Sequence, residues 1–348
     1  MVIRNVLIIV ATLALLVGGA FLFIGWKSDE RAEKVDSAEH EEQTAEEVVE
    51  EEEPIDERVI QWKEPLHVAE QQLTESSEIV VDVDQEQIIY ANNIDTPLGL
   101  ASMSKTMIQY LVMKAVDEGK LSWESTYVTP PHFFDHHHAE GIAMIGLQKN
   151  KKYTLDYLFR AVAVHSGNDA AMALVYLLAD TYDIAPDGDV HAIEAAFVQW
   201  MNDTAAELGM TNTHFINPHG LTVNGEYNKG SARDLATLIS YTIKQHPDIL
   251  NYTELATVTS EYGEVVPTTN WLLKGMPFET EGVRGYKTGF TYEAGPCVSS
   301  AVERNGHRYV TVLQNWNDGS GDFDTYKFKH TTELVETYID PTLTTEEE

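Results

Sequence analysis

Gly282-Val283-Arg284-Gly285-Tyr286-Lys287-Thr288-Gly289-Phe290 reads as a β-strand, and it is the first of three. Pro296 to Glu303 and Arg308 to Gln314 follow it, divided by the turns Thr291-Tyr292-Glu293-Ala294-Gly295 and Arg304-Asn305-Gly306-His307. Together they predict an antiparallel meander. Far upstream, Glu78-Ile79-Val80-Val81-Asp82-Val83-Asp84 alternates, and Gln87-Ile88-Ile89-Tyr90 follows a short polar turn, which predicts a hairpin. Between the two lie helical patterns. Ser102 to Glu118 carries apolar residues at Met103, Met107, Tyr110, Leu111, Met113 and Val116, and similar spacing recurs at 154–163, 168–181, 191–208, 231–245 and 325–338. Strands first, then helices, then a meander predict an α+β domain, an antiparallel sheet flanked by helices.

The chain has 348 residues, 43% of them hydrophobic, enough for one large domain with appendages or about two domains. Lys and Arg number 23 against 56 Asp and Glu, a formal net charge of -33. That balance argues against nucleic acid as a partner, because phosphate backbones recruit cations. It also argues against docking on anionic lipid through a basic patch. One cysteine, Cys297, excludes an internal disulfide framework and a multi-cysteine metal site, and reads as a small core residue.

Residues 1–28 read as a membrane anchor or signal segment. Val6 to Trp26 is 21 residues without Asp, Glu, Lys or Arg, and as a helix it spans roughly 30 Å, the thickness of a bilayer core. Arg4 precedes it and an acidic run follows Lys27, which predicts a cytoplasmic N-terminus and an exported remainder. Cleavage near Gly18-Gly19-Ala20 is the competing reading, but Phe21-Leu22-Phe23-Ile24 prolongs the apolar run beyond it. An uncleaved transmembrane helix, with the rest of the chain outside the cell membrane, is therefore the expectation; secretion after cleavage is the alternative. Residues 29–59 read as an acidic, disordered linker: 29–57 holds 15 acidic and two basic residues and no aromatic. Residues 60–342 carry the composition of one globular unit, and 343–348 form an acidic tail.

Three short stretches could carry chemistry. In Ser102-Met103-Ser104-Lys105, a Ser and a Lys three apart share one helix face. A serine hydroxyl needs a base beside it, and a lysine kept neutral by burial or a second cation can be that base. Ser166-Gly167-Asn168 suits a helix start, or brings a second hydroxyl and an amide into a cleft. Lys287-Thr288-Gly289 puts a cation and a hydroxyl beside a strand glycine, a combination suited to a carboxylate. Each is commonplace alone. Their order, with 64 and then 121 residues between leading positions, is not.

In that order the chain resembles the D-alanyl-D-alanine carboxypeptidases, the low-molecular-mass penicillin-binding proteins of serine-peptidase type. The likeness runs from about Glu78 to Val312. Ala101 to Lys105 is similar to the nucleophile segment, which more often has Thr where Ser104 stands. Ser166 to Ala171, Phe215-Ile216-Asn217-Pro218-His219-Gly220-Leu221, Ser231 to Ala236, Thr269-Asn270-Trp271-Leu272-Leu273 and Gly285 to Gly295 complete the pattern. His165 departs from it, since an apolar residue is expected there.

The resemblance implies a penicillin-binding, β-lactamase-like fold with an inserted, mostly helical subdomain. It implies that Ser102 attacks the carbonyl between the last two D-alanines of a peptidoglycan stem peptide while Lys105 takes its proton. Ser166 would protonate the departing amine, and Asn168 would hold Lys105 and the substrate amide. Lys287 and Thr288 would bind the terminal carboxylate, Gly289 would let the substrate lie on the strand edge, and the N–H groups of Ser102 and Phe290 would form the oxyanion hole. β-Lactams are implied as covalent inhibitors, and neither a metal nor an organic cofactor is implied.

Two other readings share these residues. A β-lactamase on the same fold would need a glutamate to activate water; Glu194, Glu207 and Glu226 lie in the right interval without a recognisable motif. A catalytically silent cell-wall binding protein would not need the motifs intact. His132, His136, His137 and His138, with Asp135 and Glu140, read as a polar loop near the cleft mouth; a metal centre is disfavoured because consecutive histidines point apart. Trp271, Trp316 and Tyr286 read as packing.

Overall fold

The computed structural model describes residues 59–70, 75–130, 133, 142–186, 188–316, 322 and 325–339. The anchor, the linker up to residue 58, the histidine cluster and the acidic tail lie outside the described residues. Among the described residues no helix is long and apolar enough to cross a membrane.

A central sheet holds six strands: β1 (His67–Val68), β2 (Ser77–Asp82), β3 (Gln87–Asn92), β4 (Val283–Thr291), β5 (Gly295–Arg304) and β6 (His307–Gln314), in the order β1-β3-β2-β6-β5-β4. The meander and the hairpin are both antiparallel, as their patterns predict. Asn305 and Gly306 make the tight β5–β6 turn with positive φ at both positions, the conformation that matches strand twist in a two-residue hairpin. The sheet closes where β2 pairs with β6, Glu78 opposite Leu313 and Val81 opposite Val310. One strand departs from the antiparallel expectation: β1 pairs parallel with β3. At two residues it is too short to show alternation.

Among the described residues six main helices accompany the sheet: α1 (Lys105–Asp117), α2 (Leu155–His165), α3 (Asn168–Thr181), α4 (Val190–Glu207), α5 (Ala232–Gln245) and α6 (Tyr326–Tyr338). The first five all lie between β3 and β4, so the helical part is an insertion between sheet strands. Side chains of Thr154, Asp189 and Ser231 accept backbone N–H groups at the starts of α2, α4 and α5.

Every residue of β2 is buried, and its alternation feeds two cores. Ile79 and Val81 join the larger core under α1–α5, with Met107, Leu111, Leu158, Leu174 and Leu235. Val80 joins a second core on the other face, with Val298, Leu313 and Phe328, Leu334 and Val335 of α6. Each such fully buried aliphatic contributes roughly 1.5–3 kcal/mol.

Helical structure does not begin at Ser102 as an α-helix. Ala101–Ser104 is a 3₁₀ turn, opened by Ala101 at φ 45°, and α1 starts only at Lys105. Met103 N–H bonds the Leu100 carbonyl, the tighter i→i+3 pattern, and the Ser104 hydroxyl donates to the Ala101 carbonyl.

Candidate active site

Ser102 stands on this turn, and Lys105 begins the helix behind it. Lys105 Nζ lies 2.8 Å from Ser102 Oγ and donates to the His219 carbonyl at 2.8 Å. The lysine is 0% exposed. The loop that supplies His219 is pressed hard against the turn. Gly220 has φ +85°, and a Cβ there would come within 1.8 Å of the Ala101 oxygen, so only glycine fits.

The second motif is an elbow. α2 ends at His165, Ser166 adopts the left-handed conformation (φ 61°), and α3 starts at Asn168. Ser166 Oγ accepts a hydrogen bond from Lys287 Nζ at 2.8 Å. Asn168 donates Nδ2 to the Ala143 carbonyl at 2.9 Å, and its buried Oδ1 has no hydrogen-bond partner. The expected bond between Asn168 and Lys105 is therefore replaced: the His219 carbonyl takes the lysine instead. Asp169, fully buried, accepts from the N–H groups of Ile145, Gly146 and Leu147 at 3.0, 2.9 and 2.9 Å, and so clamps the segment that supplies Ala143.

The third motif lies on β4, the last strand of the sheet, whose outer edge can accept an extended peptide. Lys287 Nζ also donates to the Thr288 carbonyl at 2.9 Å, and the Thr288 hydroxyl donates to Thr269 Oγ1 at 2.7 Å. Gly289 differs from expectation. A Cβ there would lie 3.1 Å from the Leu100 oxygen and 3.2 Å from Ala101 Cβ and Met103 Cγ. The space it leaves is filled by the nucleophile turn, so the glycine lets β4 pack on that turn rather than making room for substrate.

The electrostatics separate the two lysines. Burial, helped by the charge of Lys287, holds Lys105 well below the ordinary lysine range. Burial, helped by the charge of Lys327, pushes Lys287 down to about 7. The neutral amine is thereby favoured at Lys105, beside Ser102, while Lys287 titrates near neutrality. Two opposed limbs follow for kcat/KM. Activity rises with pH as Lys105 is freed of its proton. It falls as pH climbs through about 7, because Lys287 is charged well below that value and progressively loses its charge above it. Replacing Lys327 by Met removes a neighbouring cation, raises the pKa of Lys287 and is expected to move the falling limb to higher pH. Coincident profiles for the two proteins would contradict this assignment; the free enzyme's pKa values are what kcat/KM reports.

Lys327 is a charge acting on the site that the motifs do not announce. It comes from α6, 40 positions after Lys287, and is 6% exposed. His165 also gains a setting. Burial and Lys287 push its ring below the usual imidazole range, while Asp169 and the Pro267 carbonyl pull the other way. Cys297 is buried and its thiol is pushed up to about 11, the state of an inert core residue. Trp271 stacks on Phe278 and Phe328, Trp316 stacks on His330, and Tyr286 is 1% exposed, all as packing requires. Glu194 accepts from the Tyr176 hydroxyl, between α3 and α4.

The sequence profile described as D-alanyl-D-alanine carboxypeptidase matches residues 64–317. The chain belongs to that family. Among curated relatives of this D-alanyl-D-alanine carboxypeptidase family member, DacF of Bacillus subtilis (strain 168) is 30% identical over 247 residues, covering 68% of this chain and 56% of DacF. The chain thus spans about half the length of the curated relatives it matches. Of solved structures, penicillin-binding protein D2 from Listeria monocytogenes in its ampicillin-bound form is similar at TM-score 0.63 and 29% identity, covering 78% of this chain and 100% of that one. PBP3 from Streptococcus pneumoniae, described as a peptidoglycan synthesis regulatory factor, has TM-score 0.66 at 26% identity, covering 76% and 72%. The mixed α+β penicillin-binding-protein fold expected of the chain is the fold it has.

Proposed function

We propose that this chain is a serine-type D-alanyl-D-alanine carboxypeptidase that removes the terminal D-alanine from peptidoglycan stem peptides. One observation carries the reading: a buried lysine whose charged form burial disfavours lies 2.8 Å from a serine hydroxyl, and a second buried lysine lies 2.8 Å from Ser166. With Lys105 neutral, the Ser102 hydroxyl donates to the amine along that 2.8 Å contact. As Ser102 Oγ bonds to the carbonyl carbon, its proton moves to Lys105. The C–N bond then breaks, and the proton held by Lys105 passes through the Ser166 hydroxyl to the departing D-alanine amine, which leaves Lys105 neutral again. Water attacks the resulting ester as Lys105 takes its proton; the bond from the acyl carbon to Ser102 Oγ breaks, Lys105 returns the proton to that oxygen, and the shortened peptide leaves as a carboxylic acid.

Lys287 and Thr288 bind the terminal carboxylate, matching a cation and a hydroxyl to an anion. The Ser102 and Phe290 N–H groups serve as the oxyanion hole, where one donor is typically worth about 3 kcal/mol of barrier. Asn168 Oδ1, buried and unpartnered, is an acceptor available for the substrate amide once the cleft is filled. β-Lactams, which present a strained amide and a carboxylate, acylate the same serine. The ampicillin-bound relative supports that partner class.

Mass spectrometry of a synthetic pentapeptide ending in D-Ala-D-Ala, incubated with the full chain, tests the proposal. Release of a single alanine is expected; an unchanged peptide beside a folded protein would refute it. Slow turnover of a penicillin adduct is expected as well, whereas rapid hydrolysis would mark a β-lactamase.

The same reading extends to location. Residues 1–28 tether the enzyme to the cell membrane, 29–59 hold it off the surface, and 60–342 act outside the cytoplasm. The uncharged run Val6–Trp26 and the acidic stretch after it support this. Carbonate-resistant sedimentation with membranes is the expected behaviour, and recovery in the medium would favour cleavage.

A further inference from the structure

We infer that Asn228 is a positioning residue for the Lys105 base, because its one buried carboxamide ties the turn carrying Ser102 to the loop whose carbonyl orients the lysine. The inference rests on the carboxypeptidase reading of the site. Asn228 is 0% exposed and every polar atom of its side chain is used. Oδ1 accepts from the N–H groups of Ile216 and Asn217 at 2.8 and 3.1 Å. Nδ2 donates to the Asn217 carbonyl and to Ser104 Oγ, both at 2.8 Å. Its backbone carbonyl accepts from Leu100 N–H at 3.0 Å, just ahead of the nucleophile turn.

From Asn217 the chain of contacts runs on to the base. Asn217 Oδ1 accepts from Gly220 N–H at 2.7 Å and its Nδ2 donates to the Leu221 carbonyl at 2.9 Å, which locks the bend between them. His219 lies within that bend and turns its carbonyl to Lys105 Nζ. On the other side, Ser104 passes the link on by donating to the Ala101 carbonyl at 2.8 Å.

The geometry has a chemical purpose. A neutral amine has two N–H donors and one lone pair, and only the lone pair can take a proton from Ser102. An acceptor fixed on one N–H stops the amine from spinning and turns the lone pair toward the hydroxyl. The His219 carbonyl is that acceptor, and it stays in place only if loop and turn keep their spacing. Asn228 sets the spacing, since it is hydrogen-bonded to both within one side chain. Buried networks of this kind act as a unit when all members are satisfied.

Acylation of the full chain by a fluorescent penicillin, followed against pH, is the test. Asn228→Ala is expected to slow the acylation step by about 100-fold, the usual cost of a misplaced reacting group. Its rising limb should shift to higher pH, as a looser Lys105 meets water and holds its proton longer. Non-covalent affinity for the penicillin should stay near that of the wild type. Ser104→Ala, a milder change that removes only one partner, is expected to lose about 10-fold. Ser104→Thr keeps the hydroxyl and should restore the rate; the Ser104 pair carries the test if Asn228→Ala does not fold. Unchanged rates and limb in Ser104→Ala would overturn the inference. So would a loss that follows melting temperature alone with no shift of the limb. A wild-type chain that never acylates would sink the carboxypeptidase reading itself, whereas acylation of the wild type with indifferent variants would sink only the role of Asn228.

Discussion

Replacing Ser102 by alanine is expected to abolish covalent labelling by a fluorescent penicillin while leaving the fold intact. The hydroxyl is the nucleophile in the proposed reaction, and the neighbouring Ser166 cannot take its place. Its Oγ is bonded to Lys287, and it stands in a left-handed elbow between two helices rather than beside the neutral amine. The loss should therefore be complete rather than partial. Gel fluorescence after saturating exposure measures it, with circular dichroism to show that the variant is folded. Label persisting at full intensity would mean that another residue is acylated and would remove Ser102 from the mechanism.

Replacing Lys105 by methionine is expected to slow acylation by about 100- to 10,000-fold, the range for losing a general base. Methionine has a similar length and fills the same buried space without a charge, so the effect on packing should be small. The hydrogen bond from Lys105 to the His219 carbonyl is lost with the base, at a cost of about 1 kcal/mol. Stopped-flow acylation and thermal melting separate the two effects. Near-normal acylation in a folded Lys105→Met protein would show that the proton goes elsewhere. The pair of substitutions also distinguishes roles, because only the serine variant should lose the adduct at infinite time.

The parts of this site that the sequence declares are those where a side-chain type and a short spacing coincide. Ser102 and Lys105 are three residues apart, so any helical turn brings them together, and the strand pattern around Lys287 puts that residue on a sheet. The meander was legible for a similar reason: long alternating runs end at turn residues such as Asn305-Gly306. Other parts leave no such trace. The His219 carbonyl is a backbone atom, and any residue there would supply it. Lys327 lies in a helix whose pattern looks like an ordinary amphipathic stripe, and only the tertiary fold shows that it is buried and that its charge reaches Lys287. Gly289 signals by its residue type alone, which says that something approaches closely but not what. Two-residue strands such as β1 are too short for any periodicity to register. Asp169 follows Asn168 in the motif, yet its clamp on Ile145, Gly146 and Leu147 joins segments whose contact no local pattern encodes.

The pairing of β2 with β6 has a consequence for how the molecule comes into being. The middle of the sheet is made from positions about 235 apart, such as Glu78 and Leu313, and contacts so distant along the chain are slow to form because a long loop must first be closed. The helices between them can gather locally while the polypeptide is still being synthesised. The crevice cannot, because Lys287 and Lys327 arrive after nearly everything else. A ribosome-bound chain would therefore hold Ser102 and Lys105 without Lys287 and Lys327, and the proposed site would stay incomplete until α6 has docked.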